Sequence, residues 1–278
     1  MKQLHDRVAV VTGAGSGIGR ALSVLLARKG CHLALVDVNE AGMRETARAV
    51  EATGRKVSVH AVDVADLEQM RTLPERIVAE HGHVHILVNN AGVALDASFE
   101  DSSIEDLEWI FGINLWGVVY GCKLFLPYLK REDEAHIVNL SSLFGIIGVP
   151  RNSAYCATKF AVRGLSESLW TEVSGDGIGV TSVHPGGIKT SIVRSARYTT
   201  GADVTEMIES FDRLARTSPE RAAEKIVRGI ERGAQRVRIA PETYVLDGLK
   251  RLFPNFTQWL IRLRRDRLPQ ARAPSGPA

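Results

Sequence analysis

Two rhythms of apolar and polar positions alternate along the first two thirds of the chain. Short β-rich runs give way to stretches with 3- and 4-residue apolar spacing, the pattern of a parallel sheet covered by helices. Arg7 to Val11 reads as a first strand, and a helix is expected from Gly17 to Lys29, stopped at Gly30. A second strand covers His32 to Asp37, and its helix runs from Glu40 to Thr53, ended by Gly54. Val57 to Val62 and His85 to Asn89 are the third and fourth strands, near-continuous apolar runs as expected for strands buried on both faces. Ser102-Ser103-Ile104-Glu105 is a capping box opening a long helix, along which Leu107, Ile110, Phe111, Asn114, Leu115, Val118, Val119 and Cys122 keep helical spacing. Its apolar surface is wider than one core-facing stripe, so packing on the sheet and against another subunit is expected. His136 to Ser142, a helix from Tyr155 to Val173, Gly179 to Val183 and Arg236 to Ile239 complete the series.

Composition narrows the class. The 278 residues, 45% hydrophobic, suffice for one large core, and no composition break divides them. No run of about 18 apolar residues offers a membrane span, and the N-terminus enters its first strand without a signal segment, so a cytoplasmic protein is expected. Cys31, Cys122 and Cys156, odd in number and unclustered, suit reduced thiols. His81, His83 and His85 alternate like ligands, but no Cys or carboxylate completes a set nearby in sequence, and no metal site is assigned. The net charge of +3 hides an asymmetry: residues 247–278 hold seven Lys/Arg against two Asp, leaving the rest at −2. Such local basicity excludes a general nucleic-acid binder.

The segment Thr12-Gly13-Ala14-Gly15-Ser16-Gly17-Ile18-Gly19 lies between the first strand and the first helix. There, backbone N–H groups and a helix N-terminus face a pyrophosphate, and glycines allow the phosphates to approach. Asp37, 18 residues after Gly19, ends the second strand where a carboxylate accepts from adenosine ribose hydroxyls. A 2′-phosphate there would meet a negative charge, and no Arg or Lys occupies Ala14 to Ile18 or the two positions after Asp37. NAD is therefore favoured over NADP.

Tyr155 and Lys159 are four residues apart on one helix, hence side-chain neighbours. An ammonium beside a phenol stabilises the phenolate and makes a proton-transfer pair. With the glycine turn, Asp63-Val64, Asn89-Asn90-Ala91-Gly92, Asn114, Ser142, Tyr155, Lys159 and Pro185-Gly186 in this order, the chain closely resembles the short-chain dehydrogenase/reductase family, in its compact single-domain branch. The resemblance covers about residues 5 to 190. It implies a Rossmann-type doubly wound parallel sheet of seven strands, with helices on both faces and a nicotinamide dinucleotide at the strand carboxyl ends. It further implies Tyr155 as general acid/base, Lys159 lowering its pKa and binding ribose hydroxyls, Ser142 holding the substrate oxygen, and Asn114 anchoring a water that links Lys159 to solvent. Gly13, Ser16, Gly17, Ile18 and Gly19 would cradle the phosphates, Asp63 and Val64 the adenine, Asn90 would neighbour the cofactor, and Ile188 and Thr190 would meet the carboxamide. The expected activity is interconversion of a secondary alcohol and a ketone by a homodimer or homotetramer. Ser141 should point away from the site and Cys156, at i+1 from Tyr155, should face the protein interior.

Beyond Thr190 the family motifs stop. Residues 191–217 are where this branch places its substrate lid, and Ile192, Val193, Tyr198, Met207, Ile208, Phe211 and Leu214 make it apolar, which favours a lipophilic substrate. The expected organisation is one domain over residues 1–246, a basic amphipathic extension over 247–268 and a disordered tail over 269–278. From Leu246 onward, Leu246, Leu249, Leu252, Phe253, Phe256, Trp259, Leu260, Ile261 and Leu263 stand among basic residues, suited to an interface helix or to peripheral membrane contact. The alternative function is a dinucleotide-sensing or scaffold protein of the same fold; intact Asn114, Ser142, Tyr155 and Lys159 argue against it.

Overall fold

The computed structural model describes residues 1–198 and 204–263, without the side chains of Glu206, Ser210 and Leu214. The expected tail over 269–278, the end of the extension, the 199–203 part of the expected lid and the Leu214 side chain therefore lie outside the described residues. Strands β1 (Val8–Thr12), β2 (His32–Asp37), β3 (Val57–Ala61) and β4 (Ile86–Asn89) are followed by the two-residue β5 (Leu95–Asp96). Then come β6 (Ala135–Leu140), β7 (Ile178–His184), the two-residue β8 (Arg197–Tyr198) and β9 (Arg236–Arg238). The helices are α1 (Gly17–Arg28), α2 (Glu40–Glu51), α3 (Leu67–His81), α4 (Ile104–Phe111) and α5 (Gly117–Leu129). They continue with α6 (Ser153–Glu172), α7 (Val204–Leu214), α8 (Pro219–Arg232), α9 (Pro241–Leu252) and α10 (Pro254–Leu263). Seven strands form one all-parallel sheet in the order β3-β2-β1-β4-β6-β7-β9, while β5 and β8 pair separately.

The period-2 geometry of strands sorts the apolar runs onto two faces. Ala9, Val11, Leu33, Leu35, Ile86 and Val88 face a core shared with Leu22 and Leu26 of α1, Met43 of α2 and Ile226 of α8. Val10, Ala34, Val36 and Leu87 face the other core, built from Met70 and Ile77 of α3, Phe125 of α5 and Val162 of α6. Strand order reverses direction at β1/β4, which opens a crevice at the strand carboxyl ends, the switch point where open α/β sheets bind ligands.

Three helical features are missing from the sequence reading, one of them α8, although Ser218 caps it, Pro219 opens it and Gly233 ends it. α3 is absent from the sequence reading because Pro74 interrupts its helical signal, although Asp66 caps its N-terminus by accepting from Glu68 N–H and Gln69 N–H. The long helix is not continuous α: a π-helical turn at Gly112–Trp116 separates α4 from α5. By length and composition, Ile104–Leu129 is apolar enough to cross a membrane, a stretch the sequence reading did not count. Its inner face, with Val118, Cys122, Phe125 and Leu129 buried, lies in the second core against the sheet.

Candidate active site

Glycine geometry at the end of β1 is set by close packing. Gly13 has φ +64 and Gly17 has φ +52, both in the left-handed region that favours glycine. At Gly19 an added Cβ would overlap the carbonyl oxygen of Gly13, so α1 can begin this close to the turn only without a side chain. Asn90 donates from Nδ2 to the carbonyls of Thr12 at 2.9 Å and Gly13 at 3.1 Å, and Thr12 Oγ1 accepts from the N–H groups of Asn90 and Ala91. The expected cofactor neighbour Asn90 thus braces the turn as well. Ser16 is the N-cap of α1, yet its side chain makes no capping bond, whereas Asn39, Asp66, Ser103 and Ser218 cap α2, α3, α4 and α8 in the usual way.

Asp37 stands at the end of β2 beside this turn. Its Oδ2 accepts from Gly15 N–H at 2.8 Å and Oδ1 from Asn39 N–H at 2.9 Å. A carboxylate has about four acceptor sites, so two such bonds leave capacity for further hydroxyl donors. Arg20, outside the window inspected in the sequence, reaches the turn from the first helix and donates to Gly15 O at 2.6 Å, while Glu45 at 2.8 Å offsets its charge. Asp63 caps the chain after β3 by accepting from Ala65 N–H, and Val64 is buried against Gly117. Ile188 is buried and forms a parallel bridge with Thr217; Thr190 lies against Gly17. A cavity of about 780 Å³ between α1, α8 and the chain after β7 has Gly17, Arg20, Lys189 and Thr190 in its wall.

Ser142, Tyr155 and Lys159 converge at the end of β6. Strand and helix are joined there by a buried polar chain. Asn89 Nδ2 donates to Asn139 Oδ1 at 2.8 Å, and Asn139 Nδ2 donates to Ser166 Oγ at 3.1 Å on α6. Lys159 Nζ donates to Leu140 O at 3.0 Å, and Ser141 Oγ to Lys159 O at 2.8 Å, so Ser141 has the structural role expected of it. Ser142 stands near the Tyr155 hydroxyl and favours its ionised form, and Lys159 Nζ lies 5.6 Å from the Tyr155 ring centre. Phe144 packs edge-on against that ring with centroids 6.1 Å apart.

The electrostatics differ from expectation in one respect. Lys159 was expected to lower the Tyr155 pKa, but burial pushes Tyr155 up to about 12, opposed by Ser142. Burial likewise brings Lys159 down to about 8. Desolvation of both groups outweighs their mutual attraction because the ammonium is bonded to a backbone carbonyl and lies over the ring rather than at the hydroxyl.

Asn114 occupies the π-helical turn and is fully buried. Its Oδ1 accepts from Val93 N–H at 2.8 Å and its Nδ2 donates to Val93 O at 2.9 Å. A Cβ placed on Gly92 would lie 3.2 Å from Asn114 Oδ1 and 3.4 Å from Lys159 Nζ, so the two polar atoms flank one backbone position. π-turns inserted in α-helices are frequent at functional sites.

Three supporting residues escaped the sequence reading. His184 is buried, with Nδ1 3.0 Å from Ser142 O and Nε2 3.0 Å from Ser182 Oγ. A carbonyl only accepts, so Nδ1 carries the proton, and burial holds the neutral ring down at about 4. His184 thereby fixes the backbone of Ser142; its place just before Pro185-Gly186 was the available signal. Glu242 of α9 accepts from Gly187 N–H at 3.0 Å, and Arg151 Nε donates to Asp96 at 2.7 Å, tying the loop before α6 to β5. No local sequence signal marks either contact.

At the opposite end of the sheet the histidine reading needs correction. A carboxylate does join His83 and His85: Glu132 lies 3.1 Å from His83 Nδ1 and 3.2 Å from His85 Nε2, brought there from the residues preceding β6. His85 Nδ1 accepts from Val8 N–H at 3.1 Å, which places the ring proton on Nε2, toward Glu132. Metal ligation through Nε2 would need that proton removed and the Val8 bond broken, so the cluster is a hydrogen-bonded brace. Cys156 is buried with its thiol raised by burial, and Cys31 and Cys122 are both pushed up to about 12 by burial, in keeping with inert thiols.

The short chain dehydrogenase family model matches residues 7–201. SadH of Mycobacterium tuberculosis, named as an oxidoreductase, is 45% identical over 264 residues, covering 94% of this chain and 96% of its own. The structure of a short chain dehydrogenase/reductase from Burkholderia phymatum in complex with NAD has a TM-score of 0.82 and 28% identity, covering 100% of this chain and 99% of that one. An NAD-bound short chain dehydrogenase from Mycobacterium paratuberculosis has a TM-score of 0.75 and 26% identity, covering 85% of this chain and 97% of that one. With the family model spanning most of the sheet and a relative matched along almost its whole length, this chain belongs to the short-chain dehydrogenase/reductase family of oxidoreductases.

Proposed function

We propose that this protein is an NAD-dependent dehydrogenase that interconverts a secondary alcohol and a ketone, and that its substrate is lipophilic. The observation that carries the reading is the convergence of Ser142, Tyr155 and Lys159 beside a glycine turn whose helix is left uncapped. The residues fit a dinucleotide: Gly13, Gly17 and Gly19 form a cradle, the N-terminal amides of α1 at Ser16 to Gly19 suit a pyrophosphate, and Asp37 suits ribose hydroxyls. Asp63 and Val64 would flank adenine, Asn90 the centre of the cofactor, and Ile188 and Thr190 its carboxamide. Such a cofactor supplies the hydride acceptor or donor. NAD is favoured over NADP because Asp37 repels a 2′-phosphate and Arg20 is already paired with Glu45.

Tyr155 exchanges a proton with the substrate oxygen through its hydroxyl, and Ser142 Oγ holds that oxygen and stabilises its developing charge. Tyr155 and Lys159 are side-chain neighbours, Asn114 flanking the ammonium across Gly92. Burial brings Lys159 down to about 8, so above that pH its neutral amine can take up the proton that the substrate hydroxyl passes to Tyr155. Alcohol oxidation should therefore rise with pH up to about 8 and level off, while ketone reduction falls over the same range. NADH absorbance with a panel of secondary alcohols from polyols to sterols, with NADP in parallel and Tyr155→Phe as control, tests the reading. Turnover only with NAD, lost in the variant, supports it; tight dinucleotide binding without turnover on any alcohol favours the sensor alternative. The apolar residues of the expected lid, Ile192, Val193, Tyr198, Met207, Ile208 and Phe211, support a lipophilic substrate, and activity confined to small polyols would overturn that part. Exposed Trp116 at the π-helical turn and exposed Phe160 and Trp170 on α6 support a homodimer or homotetramer, checked by light scattering on the eluting protein.

A further inference from the structure

Exposed large hydrophobic side chains are not scattered evenly over the molecule. Tyr244, Val245, Leu252, Phe253, Phe256, Trp259 and Leu263 all lie within α9 and α10. Single exposed apolar residues need no explanation, but a contiguous group does. On α10, Phe256, Trp259 and Leu263 follow i, i+3, i+7 spacing and so share one side, and the Phe256 and Trp259 rings stack at 5.7 Å. Leu252 and Phe253, 74% and 55% exposed, extend the patch onto the end of α9.

The inner side of α10 is anchored. Thr257 is buried, Ile261 packs with Leu143, Ile146 and Ile147, and Gln258 Nε2 donates to Gly148 O at 3.2 Å. α9 is anchored too, through Asp247, 1% exposed, which accepts from Arg236 and Arg238 of β9. The exposed aromatics thus stand on helices packed against the body of the molecule.

Charge selects the occupant. Between Gly248 and Leu263 the chain carries Lys250, Arg251 and Arg262 with no acidic residue; Arg251 pairs with Asp247 at 3.2 Å, which leaves Lys250 and the exposed Arg262, and the sequence continues with Arg264, Arg265 and Arg267 against Asp266. Two copies of this face brought together would oppose like charges around their apolar centres. A surface of negative charge with an apolar interior meets both features, with Trp259 suited to its interfacial layer. We propose that the outer face of α9–α10 is a docking surface for an anionic phospholipid bilayer. The docking itself is independent of the reading of the active site; its consequence rests on that reading. Gly148, Val149 and Cys156 share a cavity of about 620 Å³ with Gln258, Trp259 and Ile261, so the face that meets lipid borders the loop and helix that carry Ser142 and Tyr155. Docking would bring a lipid-dissolved alcohol or ketone next to the site.

The test is co-sedimentation of the full-length protein with vesicles of phosphatidylcholine alone and of phosphatidylcholine with phosphatidylglycerol. Binding is expected to the anionic vesicles, weaker by ~10-fold or more at high salt. The double variant Phe256→Ala/Trp259→Ala should lose ~10-fold or more of that binding, and Arg262→Glu should weaken it independently, with the melting temperature of each variant confirming that it folds. No binding of the folded wild type to anionic vesicles at low salt would overturn the proposal, as would equal binding by both variants. Loss of an oligomer in the double variant, without vesicle binding by the wild type, would assign the face to a second copy of the chain.

Discussion

The two ends of the parallel sheet carry comparable clusters of titratable side chains, put to opposite use. At the amino ends of the strands, His83, His85 and Glu132 bond to one another, His85 also accepts from Val8 N–H, and Arg7 pairs with Asp133 at 2.6 Å. Those groups satisfy one another. At the carboxyl ends, Lys159 and Asn114 bond to backbone, Asp37 receives two N–H groups, and Tyr155 faces Ser142. The backbone bonds fix the position of each side chain without neutralising it through a charged partner. The lesson is that clustering of ionisable residues does not mark a site; the protonation state left by their partners does.

The largest effect should come from the carboxyl end. Tyr155→Phe keeps the ring against Phe144 and removes the hydroxyl, and turnover measured by NADH absorbance should fall by ~10²–10⁴-fold. Retained turnover would break the comparison outright. Asp37→Ala should weaken NAD binding by ~10–100-fold, from loss of charge-assisted hydrogen bonds worth about 1.5–3 kcal/mol, while easing NADP binding; titration calorimetry with both dinucleotides measures it. Gly19→Ala places a methyl on the Gly13 carbonyl, so a loss of about 1–3 kcal/mol in chemical denaturation should accompany weaker dinucleotide binding.

Acid stability sharpens the contrast between buried and paired histidines. Burial holds His136 down at about 3 and His81 and His184 at about 4, against an ordinary value of 6.5. Between those values and 6.5 the unfolded chain binds protons that the native state does not, so stability falls as pH drops through this window. Each histidine contributes a slope of about 1.4 kcal/mol per pH unit at most. Urea midpoints from pH 7 to pH 4 should show the decline beginning near 6.5, and His136→Gln should flatten it. The smallest effect belongs to the amino end. Glu132→Gln leaves a hydrogen-bonding partner for His85 Nε2–H, so it should cost about 1 kcal/mol or less and leave turnover unchanged. A large loss of activity there would erase the distinction between the two ends.

Legibility in the sequence followed the range of the physics involved. The glycine turn, Asp37, and the Tyr155–Lys159 spacing depend on residues within one strand, turn or helix, where period and side-chain chemistry are set by neighbours a few positions away. The central strands were readable for the same reason, since a buried parallel strand must be an apolar run; the edge strands β3 and β9 alternate buried with exposed or half-buried positions, so Val57 to Val62 is not the strand buried on both faces that was expected. α3 was missed because Pro74 masked its period, and the π-turn at Asn114 because side-chain spacing changes little across one wide turn. The tertiary structure alone decided which distant groups meet. It set His184 under Ser142, Glu132 beside His85 and Glu242 at Gly187, pairs 42 to 55 residues apart in sequence. It also decided the protonation balance at the site. Sequence proximity promised that Lys159 would acidify Tyr155, whereas burial of both groups, a property of the whole packed molecule, raises one and lowers the other.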